Sequence, residues 1–408
     1  MRNRIVKGKW LGILAIALTA LLLIAACAPT PTIPPLGETK VVEIGDLTPL
    51  TGGAASAEQP CHQGRLDYVR YFNEEKGIPG VTIKVVWVDM GREMGRFISG
   101  YRVLVDREVP LIFSNDTTSL ETLRSNFEKD QIPFLAGTTT GPAVYPPGWI
   151  YCATSTFGEA TTAVFDYFME NWKEERPPRL QFFSSDSPFG RGPAEEGSKY
   201  AESIGFEVLP IELAGYVVID ATPQLLRIQE READLVYIQN IIPAAGPIMR
   251  DVERLGLQEK MQFAGNEYAV GETLIRMAPV AVEGFLTPKG MPWFDETEIP
   301  GVKTMVDRQL EYHGKVQELP EYAGGWVYGA ILCEATKRAL EDVGYENLDG
   351  PAVKRAFETM KDFDVDGMVT ITYGPERRRG SRSFAAYQVQ GGKLVRVSDW
   401  RDVPILVP

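Results

Sequence analysis

Hydrophobic positions follow two different periods along most of the chain. Short apolar runs, typical of buried strands, are followed by longer stretches in which apolar residues recur every three or four positions, as in amphipathic helices. The runs predict strands at 41–47, 82–88, 110–113, 132–136, 180–183, 206–211, 235–238 and 261–264, and the stretches predict helices at 63–76, 93–107, 120–129, 161–172, 193–203, 223–231, 247–255, 322–340 and 351–360.

Strands that alternate with helices predict βαβ units, parallel sheets and helices on both sheet faces. Two such series occur, at about 40–150 and 155–285, separated by the proline-rich stretches 141–149 and 287–300. The pattern therefore predicts an α/β fold with two lobes. Ligands of such sheets bind beyond the carboxyl ends of the strands, so we expect a site in the cleft between the lobes.

The N-terminus has the pattern of an export signal. Residues 2–9 hold four basic residues and no acid, and an uncharged run extends from Trp10 to Ala26. This run is short for a transmembrane helix and typical of a signal peptide at 1–26. It ends in Ile24-Ala25-Ala26-Cys27, which resembles a bacterial lipobox and predicts lipidation of Cys27. An uncleaved signal anchor with an incidental cysteine is the alternative.

A proline-rich stretch follows the predicted lipidation site. Residues 28–39 contain four prolines, so we expect a lipidated cysteine and an extended tether at 27–39. No second apolar run of transmembrane length follows, which argues against a membrane-embedded receptor or channel formed by this chain alone.

Composition and charge exclude several functions. Hydrophobic residues make up 44 % of the 408 residues, which is typical of a globular protein. The formal charge of −13 argues against nucleic acid as a partner. The two histidines and four cysteines lie at no metal-ligand spacing, so we expect no metal. Nucleophile-elbow, P-loop and dinucleotide motifs are missing from the sequence, so we expect no cofactor and no catalytic residue. An exported enzyme with a two-lobe cleft stays open as an alternative.

Polar loops follow three predicted strands. Residues 114–119 and 137–142 offer hydroxyls and backbone N–H groups that suit a carboxylate, although each loop could also be a plain helix cap or turn. Residues 265–268 place Glu267 at a strand end, where a carboxylate can pair with a ligand ammonium or face solvent. Together the loops suit a small amino acid or a related carboxylate or amide.

The ordered set of segments resembles a known family. The segments are VVEIGDLTPLTGGAA, GRLDYVRYFNEEKGIPGVTIKVVWVD, QIPFLAGTTTGPAVY, TFGEATTAVFDYF, FFSSDSPFGRGPAEEG, ADLVYIQN, AVEGFLTP and YQVQGGKLVRVSDW. Over about 40–400 the chain resembles the extracytoplasmic substrate-binding proteins of the leucine/isoleucine/valine-binding type, which serve ABC importers and have the type I periplasmic-binding-protein fold.

The resemblance implies two Rossmann-like lobes with parallel sheets, joined by a three-crossing hinge near 152–156, 285–288 and 363–367. Lobe I would comprise 40–153 plus 288–365, and lobe II 154–287 plus 366–408. The ligand would be captured by closure of the lobes and presented to the importer's membrane subunits, with the protein lipid-anchored on the outer face of the cell membrane. A sensor or regulatory subunit on the same fold is the alternative.

The resemblance also implies ligand-binding residues. The carboxylate would be held by Thr117, with Thr118 and Ser119 beside it, and by Thr138, Thr139 and Thr140, and the ammonium by Glu267. Phe189 stands where the family usually has tyrosine, and Ile241 where it has a second aromatic, while Phe157 could form a wall of the pocket. We predict in particular that Thr140 and Glu267 contact the ligand.

Three features leave alternatives open. Where the family has a Tyr-Gly segment, this chain has Glu58-Gln59-Pro60-Cys61-His62, so His62 either enters the cleft or starts the first helix. Once Cys27 is lipidated, three cysteines remain: Cys333 is expected to be a buried apolar residue, and Cys61 and Cys152 either pair or stay free. Trp293 could line the pocket or pack at the hinge.

Overall fold

The structure is a computed structural model, and it describes residues 39–406. The predicted signal peptide, Cys27 and the tether up to residue 38 lie outside the described residues. The helices are α1 (Ala55–Tyr71), α2 (Met94–Asp106), α3 (Thr117–Thr122), α4 (Arg124–Asp130), α5 (Gly141–Val144), α6 (Phe157–Asn171), α7 (Pro188–Ser203), α8 (Thr222–Glu230), α9 (Ile242–Leu255), α10 (Glu272–Met277), α11 (Pro300–His313), α12 (Pro320–Val343) and α13 (Gly350–Glu358).

The strands alternate with these helices over most of the described chain. They are β1 (Lys40–Thr48), β2 (Val81–Asp89), β3 (Ile112–Phe113), β4 (Phe134–Ala136), β5 (Ile150–Cys152), β6 (Arg179–Ser185), β7 (Glu207–Val208), β8 (Glu212–Ala214), β9 (Leu235–Gln239), β10 (Gln262–Gly265), β11 (Leu286–Lys289), β12 (Phe363–Asp364), β13 (Thr370–Ile371), β14 (Ser383–Gln390), β15 (Lys393–Arg396) and β16 (Arg401–Asp402).

The first sheet has five strands in the order β2-β1-β3-β4-β5. Strand β3 runs parallel to β1 and to β4, and β4 runs parallel to β5. The three short strands β3, β4 and β5 are completely buried. Strands that are covered on both faces read as continuous apolar runs, which is why the sequence predicted β3 and β4. Strand β5 was not among the predicted strands.

The second sheet has nine strands, with the order β15-β14-β11-β10-β9-β6-β7 along its main path. Strands β6, β9, β10 and β11 are parallel, whereas β14 is antiparallel to β11 and to β15. The sheet is therefore mixed, in contrast to the parallel sheet that was predicted. Gly391 and Gly392 both have positive φ and turn the chain directly from β14 into β15, which makes this pair a hairpin.

The closest helix pair in the structure is α1 with α12. A Cβ on Gly64 would lie 2.2 Å from the Tyr322 carbonyl oxygen, and one on Gly325 would lie 2.0 Å from the Cys61 carbonyl oxygen. Only glycine permits this approach of one backbone to the other. Trp326 on α12 is 2 % exposed and packs against the ring of Tyr68 on α1. This pair therefore forms a fixed support next to the first sheet.

Several helices begin earlier than predicted, and in α1 and α7 the difference is largest or involves a proline. Helix α1 begins at Ala55 and not at residue 63, so the segment 58–62 is helical. Helix α7 begins at Pro188, which places Pro193 inside the helix and not in its first turn. Pro193 has no N–H for the Phe189 carbonyl, and that carbonyl instead accepts from the Gln239 side-chain amide at 3.1 Å. The substituted hydrogen bond explains why the helix tolerates the proline.

One of the three predicted hinge segments differs from the prediction in the structure. Cys152 and Ala153 pair with residues 378–381, through Cys152 N–H to the Arg378 carbonyl at 2.7 Å and Ser381 N–H to the Ala153 carbonyl at 3.0 Å. Residues 363–371 instead form the β12–β13 hairpin, whose turn contains Asp366 and Gly367 at positive φ. The predicted hinge at 363–367 is therefore a local turn. The lobe boundaries stay predictions.

Within residues 39–406, no helix is both long enough and apolar enough to cross a membrane.

Candidate ligand-binding site

A cavity opens between loops of the two sheets, beyond the carboxyl ends of their strands. It has about 520 Å³ of space free of protein atoms, its opening to solvent included, which is within the usual range for small-molecule sites. Its lining combines apolar, hydroxyl, amide and charged side chains, and consists of Ala54, Ala57, Glu58, Cys61, Arg92, Asn115, Thr117, Thr138, Phe157, Phe189, Ile241, Tyr268 and Glu321.

The loop after β3 is held by its own side chains. Asp116 caps α3 by accepting the Ser119 N–H at 2.8 Å, so the cap is Asp116 and not one of the predicted serine or threonine hydroxyls. Asn115 reaches the neighbouring loop, where its Oδ1 accepts the Gly137 N–H at 2.9 Å. These two bonds place Asn115 and Thr117 at the cavity.

Thr138 and Glu267 connect the loops after β4 and β10. The Thr138 hydroxyl lies 2.9 Å from Glu267 Oε1 and 2.9 Å from the Thr154 hydroxyl. Burial raises the pKa of Glu267, although the charge of Lys289 opposes this. Lys289 Nζ donates to the Glu267 carbonyl oxygen at 3.3 Å, and burial lowers the pKa of Lys289 to about 8. A hydroxyl and carboxyl pair thus joins the two sheets beside the cavity.

An apolar wall forms the side of the cavity nearer the second sheet. Phe157, Phe189 and Ile241 form one buried cluster, with Tyr216 and Tyr268 packed against it. The rings of Phe157 and Phe189 meet edge to face, with centroids 4.9 Å apart. This wall suits an apolar part of a ligand.

A capping box fixes the wall residue Phe157 in the first turn of α6. Thr156 Oγ1 accepts the Glu159 N–H at 3.3 Å, and Glu159 Oε2 accepts the Thr156 N–H at 3.1 Å. The start of α6, and with it the Phe157 ring, is therefore set by local sequence.

Arg92 extends from the loop after β2 toward the second sheet. Its guanidinium lies 4.2 Å from the Tyr216 ring centroid, donates to the Tyr216 hydroxyl at 2.9 Å and lies 3.6 Å from Asp116 Oδ2. Arg92 has φ +58°, the left-handed region that non-glycine residues rarely occupy. A cation at the cavity is thus held by an aromatic face and a carboxylate.

Two further carboxyl groups face the cavity. Glu58 lies on α1 and Glu321 in the first turn of α12. Burial raises the pKa of Glu58 to about 7 and that of Glu321 to about 8. Both carboxyl groups are therefore only partly ionised near neutral pH.

A buried ion pair lies behind this side of the cavity. Arg65 Nε and Nη2 donate to Asp46 Oδ2 at 3.0 and 2.9 Å, and Nη2 also donates to the Thr48 hydroxyl at 2.8 Å. His62 Nδ1 lies 2.9 Å from the same Asp46 oxygen. Burial opposes ionisation of Asp46, but Arg65 and His62 lower its pKa to about 2.

The structure brings five of the predicted ligand residues to the cavity and places six outside its lining. Those in the lining are Thr117, Thr138, Phe157, Phe189 and Ile241. Those outside it are His62, Thr118, Ser119, Thr139, Thr140 and Glu267. Contact of any of these with a ligand stays a prediction.

The residues outside the lining have other neighbours. His62 is on α1 and bonds Asp46, because α1 begins earlier than predicted and turns this side chain behind the cavity. Thr140 donates a hydrogen bond to Glu121. Glu267 lies behind Thr138. Trp293 is buried under Lys289, whose Nζ is 4.6 Å from the ring centroid, and lies outside the lining.

Of the two alternatives for Cys61 and Cys152, the structure has the free thiols and not the disulfide. The three cysteines within residues 39–406 are free and buried. Cys61 Sγ accepts from Arg65 Nη1 at 2.9 Å, whereas Cys152 Sγ donates to the Gly137 carbonyl at 3.2 Å. The two sulfurs thus contact different residues, Arg65 and Gly137. Cys333 is buried on α12, as expected for a small apolar residue.

Sequence reasoning missed several lining residues, chiefly Glu58, Cys61, Arg92, Tyr268 and Glu321. Arg92 and Tyr268 follow strands, so the strand-end rule could have found both. Glu58 and Glu321 lie on helices that reach the cavity only through the α1–α12 packing, and no pattern in the sequence carries that information.

A metal centre has no counterpart in the part of the chain that the structure describes. No group of three or more histidine, cysteine, aspartate or glutamate side chains in residues 39–406 is placed to hold an ion.

Comparisons with known proteins identify the fold. The chain is 24 % identical to Leu/Ile/Val-binding protein homolog 2 of Brucella abortus over 252 residues, 61 % of this chain and 67 % of that protein. A branched-chain amino acid ABC transporter from Thermus thermophilus with bound valine superposes with a TM-score of 0.82 at 24 % identity, over 91 % of this chain and 98 % of that one.

A third relative has the same fold with a different ligand. The solute binding protein of an ABC transporter from Rhodopseudomonas palustris, in complex with 3,4-dihydroxybenzoic acid, superposes with a TM-score of 0.75 at 17 % identity, over 89 % of this chain and 98 % of that one. These structures confirm the predicted type I periplasmic-binding-protein fold. The sequence profile of the periplasmic binding protein family matches residues 41–393, and the chain belongs to that family, as its resemblance predicted.

Proposed function

We propose that this protein is the extracytoplasmic solute-binding component of an ABC importer. It captures a small amino acid, or a related carboxylate or amide, in the cavity between its two lobes. The relatives named above include an amino-acid transporter component with bound valine and a solute-binding protein with an aromatic acid. Their ligands share a carboxylate, and the hydroxyls of Thr117 and Thr138 with the cation of Arg92 suit that group.

The observation that carries the proposal is the Thr138–Glu267 contact between the first and the second sheet. It joins the loop after β4 to the loop after β10 at 2.9 Å. Arg92 and Tyr216 make a second contact between the sheets. Contacts that exist only when the lobes are close stabilise the closed form, and a ligand that adds further contacts shifts the population toward it.

The closed form is the one that the importer's membrane subunits would recognise. Lipidation of Cys27 would hold the protein on the outer face of the membrane, near those subunits. The anchor has its own test: Cys27→Ser should release the protein into the soluble fraction, whereas the matched variant Cys333→Ser should leave it with the membrane. Release of both variants, or of neither, would contradict lipid anchoring at Cys27.

The binding function is tested by thermal unfolding against amino acids, aromatic acids and short amides. A ligand at about 100 times its Kd stabilises the folded form by about 2.7 kcal/mol. In parallel, the purified protein is unfolded and any released small molecule is identified by mass spectrometry. A stabilising compound that is recovered unchanged supports solute binding. A compound that is converted during incubation contradicts it and favours the enzyme alternative.

A further inference from the structure

Glu58 and Glu321 lack a cationic partner among the residues that the structure describes. Glu321 is 3 % exposed, lines the cavity and makes no ion pair within residues 39–406. The Oε2 atom of Glu58 is buried and has no hydrogen-bond partner. Burying a carboxylate without a partner is costly, so two such groups at one cavity call for a physical reason.

The other acids around the cavity are already engaged. Each has a basic or hydroxyl group of its own: Asp46 pairs with Arg65, Asp116 with Arg92, and Glu267 with Thr138. Those pairs leave Glu58 and Glu321 without an ion pair of their own within residues 39–406, although Arg65 and Arg92 act on Glu58, and Lys289 on Glu321, from beyond ion-pair distance. The two carboxyl groups therefore remain available to a group that enters the cavity.

The charges around Glu58 come from the first lobe. Arg65 and Arg92 lower its pKa, whereas burial, the largest effect, and Asp46 raise it. Arg65 is paired with Asp46 and Arg92 with Asp116, so each arginine neutralises its own partner and attracts the Glu58 carboxylate less strongly.

The charges around Glu321 come from both lobes. Burial, the largest effect, raises its pKa, and so do the charges of Glu58 and Glu267, while Lys289 lowers it. Glu58 and Glu321 therefore disfavour each other's ionisation. A cation placed between them would relieve both the burial and the mutual repulsion.

We propose that Glu58 and Glu321 form a subsite for a positively charged group of the ligand, an ammonium or a guanidinium. The inference rests on the proposed solute-binding function and specifies its substrate class, a cationic amino acid or a related amine. The ligand carboxylate would lie toward Arg92, Thr117 and Thr138, and its cation toward the two glutamates. The apolar wall would contact the methylene groups between them.

Closure follows from the same arrangement. When the lobes close over an empty cavity, two carboxyl groups leave water without gaining an ion pair in its place. When they close over a cationic ligand, each carboxylate gains a partner. The cation thus favours the closed form more than a neutral ligand of the same size would.

The test uses pairs of probes that differ in one charge. L-lysine and L-norleucine have side chains of similar length, one ending in an ammonium and the other in a methyl group, and L-ornithine and L-arginine extend the series. Binding is measured by titration calorimetry with the full-length protein, its Glu58→Gln and Glu321→Gln variants, and the control Glu318→Gln, which removes an exposed carboxyl group outside the cavity.

We expect at least one cationic probe to bind more tightly than norleucine. Its affinity should fall about tenfold or more in each cavity variant, which corresponds to about 1.4 kcal/mol, and stay unchanged in Glu318→Gln. Because glutamine keeps the shape of glutamate and removes the buried charge, we expect the ligand-free variants to keep or exceed the wild-type Tm, which separates loss of binding from loss of folding.

Two outcomes would overturn the inference. If norleucine, leucine or an aromatic acid binds and the cationic probes do not, the solute-binding function stands and the cation subsite is wrong. If no probe binds, and unfolding releases no amine detectable by mass spectrometry, both the subsite and the proposed function lose their support.

Discussion

Replacement of Arg65 by methionine should strongly destabilise the fold. Arg65 is 1 % exposed and makes contacts with Asp46, Thr48 and Cys61, while its guanidinium carbon lies 3.7 Å from the Phe113 ring centroid. Arg65→Met keeps much of the packing volume but leaves the buried Asp46 carboxylate with only His62 and the Thr48 hydroxyl as partners. Removing one partner of a buried ion pair typically costs about 3–5 kcal/mol, and we expect that loss in the free energy of unfolding.

The pH dependence of the free energy of unfolding is a second test of the Asp46–Arg65 pair. Asp46 has a pKa of about 2 in the fold against 3.8 as its ordinary value. A lowered pKa stabilises the fold above the ordinary value, and the contribution disappears as the pH falls from about 4 to about 2. The pKa difference corresponds to about 2 kcal/mol. The stability gap between the wild type and Arg65→Met should therefore narrow over this acid range.

The assay is urea unfolding at pH 7 and at several lower pH values, with Asp46→Asn, the double variant and Arg70→Met as companions. The double variant removes both charges, so it should be more stable than Arg65→Met. Arg70 lies on the same helix and is exposed, so its replacement should leave unfolding unchanged. A loss below about 1 kcal/mol in Arg65→Met, or a double variant as unstable as both single losses together, would refute the reasoning.

Three more predictions concern the cleft. Thr138→Val removes the contact with the second sheet and should weaken ligand binding about tenfold, or about 1.4 kcal/mol, measured by calorimetry; unchanged affinity would show that the hydroxyl has no part in closure. Arg92→Ala should shift the ligand-free protein toward open forms, which X-ray scattering would show as a larger radius of gyration. Tyr216→Phe should have a smaller effect. An unchanged radius in Arg92→Ala would contradict a role of the Arg92–Tyr216 contact in closure. Lysine affinity should rise between about pH 6 and pH 8.5 as Glu58 and Glu321 ionise, with proton release on binding; a flat profile would argue against the cation subsite.

Much of the fold could be predicted from hydrophobic spacing. Strand β4 is apolar from end to end and β9 is apolar up to Ile238, so their pattern stands out from the flanking polar loops. Helix starts were less certain. Pro193 indicated a first turn, but the Gln239 amide satisfies the carbonyl that the proline leaves free, and the helix begins five residues earlier. A contact from another strand decided that boundary, so local sequence could not reveal it.

The site residues, like the helix boundaries, include some that the sequence could predict and some that it could not. Thr117 and Thr138 lie in the segments that follow β3 and β4, and both line the cavity, where the strand-end loops and the family resemblance placed them. Thr140 lies two residues after Thr138, but its hydroxyl is directed at Glu121, because packing sets the direction of a side chain in a loop. Glu321 became visible only through the position of α12. Residues in the segments directly after strands could therefore be predicted, whereas Glu58 and Glu321, which reach the cavity through the packing of α1 against α12, could not.

The close approach of α1 to α12 bears on how this cleft can change over evolution. The backbones touch at Gly64 and Gly325, where any larger side chain would collide with the opposite chain. The same two helices present Glu58 and Glu321 to the cavity, at least four residues along each helix from its glycine. Substitution of either glycine would force the helices apart, whereas the two glutamates can be replaced without moving either helix. One or two substitutions at Glu58 and Glu321 can therefore change the ligand specificity without changing the backbone. Homologous proteins with the same fold can then differ in the solute that they bind.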